Sequence, residues 1–172
     1  MKRLLAAWAL SLAAACGSPP SNGMDAGMDA GAPMPSMLTA SGALTGTISA
    51  PKPTVGFDAT ASDGTFLLKK TAAGAFKADI VMGFRQSPAA TTYTTATTGF
   101  SCNVTVTSGT AAADTWVARH NTVGGGNRGS CSLTFNTAAM GAGGYDVTGT
   151  LSVTAEASGG ASTGTVMLMG TF

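Results

Sequence analysis

Apolar and polar residues alternate with a period of two through most of the chain beyond residue 38. The clearest run places Phe76, Ala78, Ile80, Met82 and Phe84 on one face and Lys77 and Asp79 on the other. That period belongs to a strand whose successive side chains point to opposite sides of a sheet, one side buried and one wet. The same phase recurs in Phe66 and Leu68, in Phe100, Cys102, Val104 and Val106, in Trp116 and Ala118, and in Cys131, Leu133 and Phe135. Two further strands close the pattern. One carries Tyr145, Val147, Leu151 and Val153, the other Val166, Leu168 and Phe172, with a hairpin over residues 156–161 between them.

Earlier elements are less sharply drawn. Leu44, Gly46 and Ile48 predict a first strand, interrupted by Pro51 and Pro53 before Val55, Phe57 and Ala59 resume the alternation. Ser62-Asp63-Gly64 is a turn signal. After Ser87-Pro88 the Thr-rich stretch around Tyr93 has high β propensity with little to bury, which predicts an edge strand or an exposed connection. No stretch sustains a helical period. Residues 38–172 therefore read as one all-β domain, an antiparallel β-sandwich of Ig-like or jelly-roll geometry with about 8 to 10 short strands. The whole chain's 24 glycines and low charged content, 10%, agree with short strands and tight turns.

The first residues follow another rule. Lys2 and Arg3 precede an apolar run from Leu4 to Leu12, then Ala13, Ala14, Ala15 and Cys16. Such a run is too short for the roughly 20 residues of a membrane-spanning helix, and it has the layout of an export signal over residues 1–15. Small residues placed directly before a cysteine resemble the lipobox of bacterial lipoproteins. The resemblance implies cleavage before Cys16, diacylglycerol on its thiol and acylation of the new N-terminus. Gly17 after the cysteine resembles lipoproteins sent on to the outer membrane. Ala13-Ala14-Ala15 also satisfies the small-x-small rule of ordinary signal peptidase, which leaves a freely secreted chain as the alternative.

Residues 17–37, which with Cys16 make up a tether over 16–37, consist mainly of Gly, Pro, Ser, Asp, Ala and Met with no aromatic or β-branched residue, the composition of a flexible linker. Met24, Met28, Met34 and Met37 are thioethers of the kind that suit Cu(I). No His or Cys accompanies them, so linker composition accounts for them and no cofactor or metal is expected.

Export changes how the cysteines read. With Cys16 given to lipid, Cys102 and Cys131 remain, both in the apolar phase of their strands, and a buried disulfide between them is expected. Closing a loop of that length stabilises by about 3 to 4 kcal/mol on the chain-entropy model. A redox or metal-binding pair would call for a C-x-x-C spacing or a neighbouring histidine. The order Cys102, Trp116, Cys131 is similar to the immunoglobulin pattern in geometry alone, since Gly129 stands where that family has tyrosine.

Little in the chain points to catalysis. Gly124, Gly126 and Gly129 match G-x-G-x-x-G, but a strand follows instead of a helix N-terminus, so a hairpin loop is the reading. His120 is the only histidine; it could act as a base near Asp114 or Arg119, and it reads more simply as the surface end of a strand. There is no G-x-S-x-G elbow. Pairs such as Thr45 and Thr47 or Thr148 and Thr150 are spaced too irregularly for a solenoid, and outward-facing threonines on wet strands explain them. Removing Lys2 and Arg3 takes the side-chain charge from +1 to −1 with no basic run, which excludes a nucleic-acid partner.

Two functions remain. One is a non-catalytic envelope lipoprotein, held to the membrane through Cys16, that binds an envelope protein or glycan or has a structural role. Its candidate contact residues are Trp116, Tyr93 and Tyr145, for each of which core packing is the other role. The alternative is a small tethered or secreted hydrolase using carboxylates from the loops, drawn from Asp58, Asp63, Asp79, Asp114, Asp146 and Glu156.

Overall fold

The computed structural model describes residues 36–69, 74–109, 114–121 and 126–172, and Cys16 with the rest of the signal and most of the tether lies outside them. Among the described residues the chain forms eleven strands and no helix. They are β1 (Ser36–Gly42), β2 (Gly46–Ala50), β3 (Thr54–Asp58), β4 (Asp63–Lys69), β5 (Phe76–Phe84), β6 (Thr91–Thr94), β7 (Ser101–Ser108), β8 (Thr115–His120), β9 (Ser130–Gly141), β10 (Gly144–Gly159) and β11 (Thr165–Thr171). Every pairing is antiparallel, and the strands join into one hydrogen-bonded sheet curled into a half-barrel.

The long strand β10 is the spine. Its Thr150–Glu156 stretch pairs with β11 on one edge. On the opposite edge β9 pairs with Gly144–Thr154, and from Glu156 onward β8 takes over. The sheet therefore divides there into two arms. One runs β6-β9-β10-β11-β1-β2, the other β8-β7-β5-β4-β3.

The division has local causes. A Cβ at Gly129 would run into the Thr154 carbonyl, and Gly129 has φ +64°, a region that favours glycine. Arg119 and Arg128 exchange backbone hydrogen bonds of 2.8 Å, tying the end of β8 to the approach of β9. The Arg128 guanidinium donates to the Ala157 carbonyl at 2.9 Å, and Glu156 accepts from the Gly129 N–H at 3.0 Å. A register shift between Ala157 and Gly159 bends β10 where it changes partner.

The core fills the concave side. Phe135 on β9 meets Phe84 on β5 at 5.6 Å between ring centroids and Phe66 on β4 at 6.4 Å. Tyr93 on β6 packs between Phe84 and Phe100 at 5.3 and 6.1 Å. The Cys102–Cys131 disulfide links β7 of one arm to β9 of the other, with 6.5 Å between Cα atoms. All five inward residues of β5 are buried, as their alternation requires.

Several sequence-based boundaries move. β1 is an additional strand that pairs with both β2 and β11, so Ser36 and Met37, expected in the tether, lie in the sheet. Its inward residues beyond Ser36 are only Leu38 and Ala40, too little apolar bulk to mark a strand by pattern. Leu44 sits in the bend before β2. β10 continues through Gly159, so Glu156 belongs to a strand and not to a hairpin loop. The Thr-rich stretch does hold a short edge strand, β6, paired only with β9.

Candidate functional site

Of the two roles weighed for the aromatic candidates, core packing is the one Trp116 and Tyr93 have. Trp116 is 4% exposed and points inward from β8, its indole N–H donating to the Thr163 carbonyl at 3.2 Å. Tyr93 is 2% exposed. Both occupy the inward phase of their strands, where large aromatic surface is most stabilising when buried. Burial raises the Tyr93 phenol above its ordinary pKa, and its hydroxyl has no hydrogen-bond partner. Tyr145 is half-buried near the β9–β10 hairpin, its hydroxyl 3.3 Å from Ser87 Oγ. The three rings do not share one surface, and only Tyr145 reaches solvent.

The expected disulfide is present, as described above. His120 lies at the end of β8, while Asp114 precedes the start of that strand, where it accepts from the Ala161 N–H at 2.7 Å. A full strand length separates the two, so they form no acid–base pair.

What sequence reading missed is a polar groove on the outer side of β4, β5, β7 and β8. Gly83 on β5 stands in register between Thr65 on β4 and Ser101 on β7, and a Cβ there would come within 2.6 Å of Ser101 Oγ. The missing side chain leaves a hollow of about 540 Å³. Asp63 lines it at the start of β4, and the cross-strand pair Asn103 and Arg119 lines it from β7 and β8. A second hollow of about 720 Å³ lies beside it, lined by Arg85, Asn127 and the Thr95–Gly99 loop. His120 and Asn121 line both, so the two hollows meet there.

The loop is held by its own hydrogen bonds. The Thr97 N–H donates to the Thr94 carbonyl at 2.8 Å, and the Thr94 N–H donates to Thr97 Oγ1 at 3.0 Å. The Arg85 stem lies over Gly99, whose φ is +78°. Electrostatically the groove carries Arg85 and Arg119 against the single carboxylate of Asp63. The salt bridges among the described residues are Lys52 with Asp146 and Arg128 with Glu156, so neither groove arginine is paired with a carboxylate.

The carboxylates weighed for hydrolysis do not converge here. Asp58 caps a turn through the Thr60 and Ala61 N–H groups, Asp146 pairs with Lys52, and Glu156 serves the junction at Gly129. Among the described residues no group of three or more His, Cys, Asp or Glu is placed to hold a metal ion. The signal for the groove in the sequence was slight: a glycine among side-chain-bearing outward positions, and Asn103 directly after a core cysteine.

Compared with known families, with curated proteins and with solved structures, the chain shows no match in any of the three.

Proposed function

We propose that this protein is a lipid-anchored lipoprotein of the bacterial cell envelope, and that its β domain is a non-catalytic binding module held at the outer membrane. The observation that carries the reading is the disposition of the three cysteines. Cys102 and Cys131 are joined across the core, and the remaining cysteine, Cys16, directly follows a short apolar run and three alanines. A disulfide belongs to an oxidising compartment, and an odd cysteine at a signal's cleavage point suits acylation. Multiple acyl chains there would make membrane attachment effectively permanent.

The groove at His120 supports a binding role for the domain, since it offers charged and neutral polar groups on a rigid sheet without two facing carboxylates. In packing terms we read the half-barrel as a sandwich, with Phe135 of one arm meeting Phe66 and Phe84 of the other.

The test is the intact mass of protein extracted from its native envelope, before and after reduction and alkylation. The expected mass begins at Cys16 with added acyl chains, and two further thiols become alkylatable only after reduction. A chain starting at or near Cys16 without lipid would overturn the anchor and leave a secreted domain.

A further inference from the structure

Resting on that binding role, we infer that the His120 groove takes a carboxylate-bearing saccharide, a stretch of uronic-acid-type sugar chain. Arg85 and Arg119 stand on its two hollows without carboxylate partners, whereas the other described arginine, Arg128, is occupied by Glu156 and the Ala157 carbonyl. A guanidinium is always charged and presents a planar fork that matches a carboxylate with two parallel hydrogen bonds. Two such forks, one in each of two adjoining hollows, suit an anion that repeats along a chain.

The neutral groups that line the two hollows select the rest of the ligand. Ser101, Asn103 and Thr97 are neutral and can both donate and accept, the requirement for matching the hydroxyls of a sugar ring. Among the described residues no Phe, Tyr or Trp lines either hollow, which argues against an apolar ligand. The carboxylate of Asp63 in the first hollow argues against a densely charged polyanion, because it would repel closely spaced dianionic phosphates more than single carboxylates set a ring apart. The volumes of about 540 and 720 Å³ fall in the range of small-ligand sites, of roughly 300 to 1,000 Å³.

The experiment uses the full chain as extracted, in detergent, titrated calorimetrically with three probes: a trimer of galacturonic acid, the neutral trimer maltotriose, and inorganic phosphate. The acidic trimer is expected to bind, with maltotriose and phosphate each at least about tenfold weaker. Arg85→Gln and Arg119→Gln should each weaken the acidic trimer by about tenfold or more, the effect of removing one charge-assisted hydrogen-bonding group. Arg119→Lys keeps the charge and loses the fork, and should weaken binding as well. Both arginines are exposed, so unchanged melting temperatures are expected to accompany these losses.

Equal binding of maltotriose would overturn the assignment of an acidic ligand, and equal binding of phosphate would reduce the groove to a general anion site. Indifference to both arginine substitutions, or no binding of any probe, would overturn the inference altogether. A chain acylated at Cys16 that binds none of the probes loses this inference and keeps its anchor. A chain that binds the acidic trimer but carries no lipid does the reverse.

Discussion

The two arms of the half-barrel turn the same kind of apolar surface inward and very different surfaces outward. On the arm β6-β9-β10-β11-β1-β2, outward side chains line up in rows across the strands. One row is Thr92, Thr134, Thr150, Thr171, Met37 and Ser49; the next is Thr94, Ser132, Ser152, Met169, Thr39 and Thr47. Neither row holds a charge, and neighbouring hydroxyls bond to one another, Thr92 to Thr134 at 2.9 Å and Thr39 to Thr47 at 3.1 Å. The other arm shows Asp63, Lys77, Asp79, Asn103 and Arg119 to water, and the groove lies there. Folding needs only that the outward phase tolerate solvent, so it does not dictate which polar residues stand in it. Whether the contrast between the faces belongs to stability or to use is therefore a question for experiment.

The comparison presumes that the arms are held as one body, and the largest expected effect comes from releasing them. Cys102 and Cys131 clip the charged arm to the hydroxyl arm across a sequence separation of 29 residues. Replacing both by Ala should lower unfolding free energy by about 3 to 4 kcal/mol on the chain-entropy model, read from denaturant unfolding with the m-value fitted separately for each form, because the unbridged unfolded chain is more expanded and its m-value should rise. A loss below about 1 kcal/mol would mean that the aromatic contacts of Phe135 with Phe66 and Phe84 are sufficient to join the arms without the disulfide.

How much of this was legible depended on side-chain bulk. β5, β7 and the end of the chain could be read from Phe76 to Phe84, Cys102 to Val106 and Val166 to Leu168, because large apolar residues recur there at every second place. β1 escaped notice because Leu38 and Ala40 provide little signal and one of its two partners, β11, lies far along the chain. The disulfide followed from counting cysteines in one phase. The groove did not follow, since it arises where Gly83, Arg119 and Asp63 from three strands meet, and pairing register is not written in local periodicity. The threonine pairs teach the same point. They are irregular along the sequence and become rows only across strands.

A smaller effect separates the inner surfaces. Tyr93 stands on the inward side of the hydroxyl arm, against Phe84 and Phe100, with its hydroxyl unpartnered. Burial holds its folded pKa above the ordinary value near 10, whereas the unfolded chain titrates at that value. The stability tied to the neutral phenol is thus complete below about pH 10 and is lost as pH rises through that value toward the folded pKa. Tyr93→Phe should remove this component of the alkaline slope, at most about 1.4 kcal/mol per pH unit for one proton. At neutral pH it should leave stability unchanged or raise it by about 1 kcal/mol, because it deletes a polar group buried without a partner. A variant destabilised at neutral pH, with its alkaline slope intact, would show that the hydroxyl has a role the packing does not reveal.

The smallest effect in stability tests the comparison most directly. Thr150→Lys and Met169→Lys each place one charge in the uncharged rows, and Thr105→Lys places one on the opposite arm. Thr150 and Met169 are exposed and Thr105 is half-buried, and all three are outward-facing on paired strands, so each change should cost no more than about 0.5 kcal/mol in thermal denaturation. Equal tolerance on both arms would establish that the two rows are uncharged for a reason other than folding. If instead the two hydroxyl-face variants lose more than about 1 kcal/mol while Thr105→Lys does not, the rows of Thr, Ser and Met contribute to the sheet through their cross-strand contacts. The difference between the faces would then belong to stability, and the groove arm alone would carry the functional signal.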